Sequence, residues 1–126
     1  MPAYDDLRFS PPAPVARVML RSLQTDARCD DIELLLDSGA DVTLVPKTAA
    51  EQLGLIPDPH ENYELMSFDG SRSFAETIVL DLILEGKAFR GKYLLIDPAI
   101  GVLGRDVLNH LRIVLNGPGE RWSVQN

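Results

Sequence analysis

Short apolar runs separated by polar turns make up most of the chain, a pattern typical of β-strands. The first two runs, Val15 to Leu20 and Ile32 to Leu36, flank the polar stretch 24–31, and together they predict a β-hairpin. Leu34 to Leu36 would be apolar on both faces of a strand, which favours a central position in a sheet. The sequence therefore predicts an interior strand that ends at residue 36.

Downstream of this strand, the alternation continues with one short helix. A short strand is predicted over 42–45, and a two-turn helix over Lys47 to Leu53, with Pro46 at its entry and Gly54 at its end. Residues 63–96 are predicted to form strands again, with turns at 69–71 and 85–86.

The C-terminal part predicts a second helix and a last hairpin. The helix is expected over Val107 to Leu111 with Asp106 as its N-cap. Strands at 113–115 and 121–124 flank the turn 116–119. Many short strands with one or two short helices predict an all-β fold, either a barrel or a sandwich.

Length and proline content suggest one domain preceded by an arm. The chain has 126 residues, which corresponds to a single domain. Four of its nine prolines lie within residues 1–14, and proline-rich segments favour extended structure. We therefore expect a loosely held arm over residues 1–13 and one domain over 14–126.

Charge and hydropathy exclude several classes of protein. A formal net charge of −7 argues against a broad surface that binds nucleic acid. No apolar stretch approaches the ~18 residues of a membrane span, and the first ten residues do not resemble a secretory signal. The single cysteine, Cys29, excludes an intrachain disulfide. These features together predict a cytoplasmic protein that binds neither nucleic acid nor membrane.

Most catalytic side-chain patterns are also absent from the sequence. The two histidines, His60 and His110, have no His, Cys or clustered carboxylates at metal-ligand spacing, so neither a metal nor a cofactor is expected. No Gly-x-Ser-x-Gly motif supports a serine nucleophile. Cys29 lies in a polar turn and is most simply a surface or half-buried residue.

The segment from Leu34 to Pro46 carries the most informative chemistry. Asp37 directly follows three leucines, where the predicted interior strand ends. Ser38 offers a hydroxyl that can bond backbone groups across a turn. Gly39 lets the backbone turn sharply or approach a ligand closely. Taken alone, Asp-Ser-Gly is most simply an ordinary polar turn between strands.

This segment resembles the active-site loop of aspartic proteases, and it is most similar to the retroviral type, which reads Leu-Leu-Asp-Thr-Gly-Ala-Asp. A second block, Gly101 to Leu108, resembles the family's apolar-apolar-Gly-Arg-Asn/Asp-x-Leu block before a short C-terminal helix. The two blocks lie in the family's order and at its approximate spacing, and the resemblance covers residues 14–124. It implies a retropepsin-like fold, a small closed β-barrel with one or two short helices.

The resemblance implies roles for several residues of the two blocks. Asp37 would be the catalytic aspartate, and Ser38 would hydrogen-bond across the active site to its counterpart. Gly39 would present its backbone to substrate, and Asp41 would contact the substrate backbone. Arg105 would pair with Asp41, an arrangement that fixes loop geometry when it is bidentate. The other implied members are Ala40 in the loop and Gly104 before the arginine.

The stretch from Tyr63 to Leu84 lies where the family has its mobile flap. The flap candidates are Ser67, Phe68, Asp69, Gly70 and Ser71. With one glycine, this tip departs from the glycine-rich retroviral flap, so its closure is expected to differ. Weaker candidates for pocket walls, each also expected of simple core, are Ala40, Val42, Ile78, Leu80 and Val102.

The implied activity is an aspartic endopeptidase that cleaves an extended polypeptide. Because the mechanism needs two carboxylates and the chain carries one such motif, the resemblance implies a homodimer with Asp37 of each copy at the twofold axis. The added arm and the polar C-terminal end differ from the family's termini, so a dimer sheet of interleaved termini does not follow. The alternatives are a catalytically inactive module for peptide binding or dimerisation, and a regulatory domain cut from a longer polyprotein.

Overall fold

The computed structural model describes residues 2–57, 61–66 and 69–126, and it is mostly β-strand with two short helices. In chain order the elements are β1 (Tyr4–Asp5), β2 (Ala13–Arg21), β3 (Arg28–Leu36), β4 (Leu44–Pro46), α1 (Lys47–Gln52), β5 (Asn62–Met66), β6 (Arg72–Leu84), β7 (Lys87–Ile96), β8 (Gly101–Leu103), α2 (Arg105–Leu108), β9 (Arg112–Asn116) and β10 (Arg121–Gln125). The all-β fold with two short helices that the sequence predicts is confirmed.

Eight strands form one sheet in the order β1-β2-β3-β8-β4-β7-β6-β5. β2 and β3 are the predicted antiparallel hairpin, and β3 lies between β2 and β8, as its leucines predict. β2 also pairs with β6, from Met19 opposite Ile83 to Arg21 opposite Asp81, so the sheet curls back on itself. The parallel pairing of β3 with β8 brings together the two sequence blocks singled out above.

Large apolar side chains fill the inside of this curled sheet. The fully buried ones include Leu20, Leu34, Leu80, Leu82, Leu103 and Trp122. They come from five different strands. Alternate residues of a strand point to the same face, so each of these strands contributes one face to the core. Burial of each such side chain stabilises the fold by roughly 1.5–3 kcal/mol before the entropy of ordering is subtracted.

One charged side chain is buried in the sheet with two arginines beside it. Asp81 on β6 is 3% exposed, and it lies directly opposite Arg21 on β2 and Arg90 on β7. Arg90 Nε donates to its Oδ1 at 3.0 Å, and an Arg21 guanidinium nitrogen donates to its Oδ2 at 3.1 Å. The hydrogen bond from Arg90 has the largest effect on the pKa of Asp81, and the bond from Arg21 adds to it. Together they hold this pKa below its usual value, although burial alone would raise it.

The N-terminal residues are tied to both ends of the domain. Tyr4 lies opposite Pro14 in the β1–β2 pair, and its N–H donates to the Glu120 carbonyl at 2.9 Å. The Trp122 N–H donates to the Pro2 carbonyl at 3.0 Å. The prediction of a loosely held arm is therefore wrong for residues 2–5, because this extended segment makes backbone hydrogen bonds to the domain. The division of the chain at residue 14 stays a prediction.

Helix α1 follows the sequence closely, whereas α2 does not. α1 starts after Pro46, and Gly54 beyond its end has φ +69°, a left-handed value that favours glycine. α2 begins at Arg105, two residues before the predicted start, and its N-cap is Gly104. Asp106 is not the N-cap because its carboxylate bonds another part of the chain, described below. The strand predicted over 42–45 is observed as β4, two residues later at its start.

Candidate active site

Asp37 lies where β3 ends, and its backbone is fixed to the neighbouring strand. In the parallel pair of β3 and β8, Leu36 lies opposite Leu103. The Asp37 N–H continues this ladder by donating to the Leu103 carbonyl at 3.0 Å. The end of a central strand thus holds the aspartate's backbone at the surface end of the leucine run, in which Leu34 is fully buried and Leu35 and Leu36 are half-buried.

A tight turn then orients the Asp37 carboxylate. The Ala40 N–H donates to the Asp37 carbonyl at 3.1 Å, and the Gly39 N–H donates to Asp37 Oδ1 at 2.9 Å. A Cβ at position 39 would lie 3.1 Å from Oδ1, a contact that only glycine avoids completely. Asp37 is half-buried, while Ser38 and Gly39 are exposed. The carboxylate is therefore held by the backbone beside a loop that solvent, or a ligand, can reach.

The second block packs against this turn so closely that it requires glycine. A Cβ at Gly104 would lie 2.7 Å from the Val42 carbonyl carbon and 3.0 Å from the Ala40 oxygen. The next residue, Arg105, donates its backbone N–H to the same Ala40 oxygen at 2.8 Å. Any side chain at position 104 would push the two loops apart, which explains the role of Gly104 in the site.

A buried threonine, which the sequence reasoning missed, joins the two blocks. Thr43 is fully buried, and its hydroxyl donates to Asp106 Oδ1 at 2.6 Å and accepts the Gly104 N–H at 3.0 Å. The Thr43 N–H donates to Asp106 Oδ2 at 3.0 Å. Both oxygens of Asp106 thus hold the segment that follows the Asp37 turn. The available signal was a polar residue inside the apolar run 42–45, since a buried hydroxyl needs partners.

The structure gives Arg105 a different partner from the predicted one. One guanidinium nitrogen donates to the Ser38 carbonyl at 2.7 Å. Among the described residues, no ion pair joins Arg105 to Asp41. The predicted salt bridge between them is therefore wrong. Asp41 is exposed, so water solvates its carboxylate and an ion pair there would contribute little. Arg105 still supports the loop, but its guanidinium group bonds the loop's backbone at Ser38 rather than the Asp41 side chain.

The flap candidate is an antiparallel hairpin formed by β5 and β6. Asn62 lies opposite Glu76 and Met66 opposite Arg72. Ser67 and Phe68 lie outside the described residues. In the described part of the turn, the Ser71 N–H donates to Asp69 Oδ1 at 2.9 Å. Hydrogen bonds from Ser71 hold the pKa of Asp69 below its usual value.

A cleft of about 310 Å³ separates this hairpin from the end of β7. Its lining includes apolar side chains such as Leu65 and Leu95, and none of its described lining residues belongs to the loop that carries Asp37. Lys47 reaches across it, with Nζ 3.7 Å from Glu76 Oε1 and 3.5 Å from Asp97 Oδ1.

The proposed pocket-wall residues divide into two groups. Ile78 and Leu80 are buried and belong to the core. Ala40, Val42 and Val102 are half-buried and lie in or beside the two loops.

Among the described residues, the remaining titratable candidates, Cys29 and His110, have contacts of their own. Cys29 is buried, its Sγ donates to Gln52 Oε1 at 2.7 Å, and burial raises the pKa of its thiol. The rings of His110 and Phe89 lie 6.2 Å apart, and His60 lies outside the described residues. Over residues 2–57, 61–66 and 69–126, no three His, Cys, Asp or Glu side chains are grouped as a metal site would require. No helix in these ranges is long and apolar enough to cross a membrane.

Comparison with solved structures shows what this arrangement resembles. No protein-family model matches the sequence, and no curated protein matches it. Among solved structures, 219 chains are similar. One is the EIAV protease complexed with the inhibitor HBY-793, which is 19% identical with a TM-score of 0.61, over 84% of this chain and 91% of that chain. This similarity supports a retropepsin-like fold.

Proposed function

We propose that this chain is one subunit of a homodimeric aspartic endopeptidase, with Asp37 as its catalytic carboxylate. The observation that carries the proposal is the placement of Asp37. Its backbone is bonded to β8 and its Oδ1 accepts the Gly39 N–H, on an exposed loop of a retropepsin-like fold. An aspartate that accepts the N–H two residues further on also occurs in ordinary turns, as at Asp69, so the proposal rests on this turn occurring where β3 ends beside β8 in this fold.

The chemistry requires a second carboxylate, which a second copy of the chain supplies. Two facing carboxylates share one proton, because like charges in contact cannot both be ionised. The ionised group takes a proton from a water molecule, whose oxygen attacks the carbonyl carbon of the peptide bond. The protonated group donates to the carbonyl oxygen as negative charge develops there. When the tetrahedral intermediate collapses, the C–N bond breaks, the leaving nitrogen takes up the proton that the first carboxylate received from water, and the hydroxyl formed on the carbonyl oxygen returns its proton to the second carboxylate.

The residues around Asp37 act by holding geometry. The Gly39 N–H fixes the carboxylate, and the Ser38 carbonyl is held by Arg105. The Thr43 hydroxyl, which bonds the Asp106 carboxylate and the Gly104 N–H, joins the two loops. Such rigidity matters because a displacement of about 1 Å can lower a rate roughly a hundredfold.

An extended polypeptide is the substrate class that best fits this site. The hairpin β5–β6 borders a cleft lined in part by apolar side chains, separate from the Asp37 loop, which an extended chain can reach from that loop. Backbone groups of an extended peptide pair with unpaired strand edges of a protein, while alternate side chains of the peptide enter apolar pockets. Gly39 and Asp41, both exposed in the loop, are the proposed contacts for the substrate backbone.

The test is a peptide-library cleavage assay from acidic to neutral pH on the wild type and Asp37→Asn. Asn is nearly isosteric, so the fold is expected to persist, but it cannot share the mobile proton. We expect cleavage by the wild type and none by the variant. Cleavage by Asp37→Asn near the wild-type rate would overturn the proposal. Peptide binding by the wild type without any cleavage would instead favour the inactive module.

A further inference from the structure

The C-terminal hairpin leaves one strand edge unpaired. β9 pairs with β10 on one side, from Arg112 opposite Gln125 to Asn116 opposite Arg121. In the part of the chain that the structure describes, the other edge of β9 pairs with no strand. Such an edge presents N–H and C=O groups in the pattern that another strand needs.

The side chains along this edge are apolar and exposed. Ile113, Val114 and Leu115 follow one another without a charge, and Val114 and Leu115 are 46% and 58% exposed. Leu115 lies opposite the buried Trp122, so it belongs to the inward face of the hairpin and still remains uncovered. An inward-facing leucine left more than half exposed indicates a surface that another chain covers.

The other edges of the main sheet are less suited to association. β1 is two residues long. β5 carries Glu64, which forms an ion pair with Arg72 at 3.0 Å, and charged residues on an edge discourage pairing. The outer edge of β10 is already used, because Ala3 bridges to Arg121 and the Pro2 carbonyl accepts the Trp122 N–H.

These contacts also determine which dimer arrangement remains open. Residues 2–4 are bonded within their own chain to residues 120–122. They are therefore not free to lie between the C-terminal strands of two copies. The strand that remains available is β9 itself.

We infer that two copies of this chain associate by antiparallel pairing of their β9 edges, giving a four-stranded sheet in the order β10-β9-β9-β10. This inference rests on the proposed function, since the active site is incomplete without a second Asp37. The occupant is a second copy rather than an unrelated protein because the edge is self-complementary. Full overlap of the five residues places Val114 opposite Val114 of the second copy and Ile113 opposite its Leu115. Arg112 then faces Asn116, so no like charges meet.

The position of this edge is consistent with a twofold axis shared with the active site. β9 begins four residues after α2 ends. α2 in turn starts at Arg105, whose backbone and guanidinium groups bond the Asp37 loop at Ala40 and Ser38. The edge is thus connected to the catalytic loop through one short helix. For a protein of net charge −7, a seam with no carboxylates also avoids electrostatic repulsion between the copies.

Charge substitution at the seam tests the inference, and the chain offers a matched control. Val114→Lys would place two ammonium groups opposite each other at the twofold axis. Val79→Lys alters a valine of nearly equal exposure, 47% against 46%, on β6, where Val79 lies opposite Lys92 of β7 and outside the proposed seam. Sedimentation equilibrium on the full chain is expected to show a dimer dissociation constant raised on the order of 100-fold for Val114→Lys and unchanged for Val79→Lys. Circular dichroism verifies that both variants are folded.

Disulfide formation tests the register independently. Residues directly opposite in antiparallel strands have Cα atoms about 4.5–5.5 Å apart, a separation that a disulfide can span. In a Cys29→Ser background, Val114→Cys is therefore expected to form a covalent dimer under mild oxidation, and Val79→Cys is not.

The outcomes separate this inference from the proposed function. A dimer that cleaves peptide, has an unchanged dissociation constant in Val114→Lys and does not cross-link at position 114 would overturn the β9 seam and leave the protease proposal standing. A wild type that stays monomeric at tens of micromolar and cleaves nothing would overturn both. Loss of the dimer in Val114→Lys alone, together with cross-linking at position 114, would support the seam.

Discussion

Thr43→Val should destabilise the fold although it preserves the shape of the side chain. The substitution removes a hydroxyl that donates to Asp106 Oδ1 at 2.6 Å and accepts the Gly104 N–H at 3.0 Å. A hydrogen bond to a charged group contributes about 1.5–3 kcal/mol, and a buried N–H left without a partner costs about 1–3 kcal/mol. Because these effects share one atom and are not additive, we expect a loss of about 3 kcal/mol in the free energy of unfolding.

Urea denaturation followed by far-UV circular dichroism measures this loss directly. For a chain of this length, about 3 kcal/mol corresponds to a fall in Tm of roughly 12 °C. Thr43→Ser is the matched control, because it keeps the hydroxyl and removes one methyl group, which costs about 1 kcal/mol. Asp106→Asn should lie between the two, since its NH2 group replaces one of the two carboxylate oxygens that accept hydrogen bonds from Thr43 and cannot itself accept.

The order of these variants decides whether the hydroxyl matters. If Thr43→Val is as stable as Thr43→Ser, the hydrogen bonds contribute nothing measurable, and the two loops are held by packing alone. The reasoning would also fail if Thr43→Val lost stability while Asp106→Asn matched the wild type, because the two residues would then not act through one contact.

Three further predictions follow from other contacts. Gly101→Ala should prevent stable folding, since its Cβ would lie 2.1 Å from the Leu44 oxygen, and a soluble variant with an unchanged Tm would contradict that geometry. Arg105→Ala should lower kcat/KM of the proposed protease about 10- to 100-fold while lowering Tm by only a few degrees, because it frees the exposed Ser38 carbonyl; equal activity would show that the contact does not position the loop. The lowered pKa of Asp81 should contribute stability at all pH values above its unfolded pKa of about 4, and this contribution is lost as pH falls through the lower folded pKa. Asp81→Asn should therefore show a smaller fall in Tm between pH 5 and pH 2 than the wild type.

Local pattern was sufficient to predict most of the strands and the turn that carries Asp37. The β2–β3 hairpin, the interior position of Leu34 to Leu36 and the glycine beyond α1 each depend on neighbouring residues. Those features follow from alternation and turn chemistry, which act over a few residues. They were correctly predicted for that reason.

The errors came from contacts between distant residues. Aspartate is a common N-cap residue, yet the Asp106 carboxylate accepts hydrogen bonds from Thr43, 63 residues earlier. Arg105 bonds the Ser38 carbonyl, 67 residues away, where the resemblance to the retroviral enzymes implied Asp41. A backbone acceptor carries no signal in the sequence, so the partner of Arg105 was not visible before the chain was folded, whereas Thr43 was marked only by its polarity within an apolar run.

The single tryptophan gives this chain a built-in reporter of how it folds. Trp122 is almost completely buried, its indole N–H donates to the Val15 carbonyl at 3.2 Å, and 107 residues separate the two. Its environment becomes apolar only when β10 packs against β2, so native fluorescence emission requires the C-terminal hairpin to be docked on the rest of the fold. Contacts of such long sequence separation also slow folding, since loop closure must precede them. Emission should therefore become native in a late, rate-limiting kinetic phase, after most of the far-UV signal of the other strands has formed.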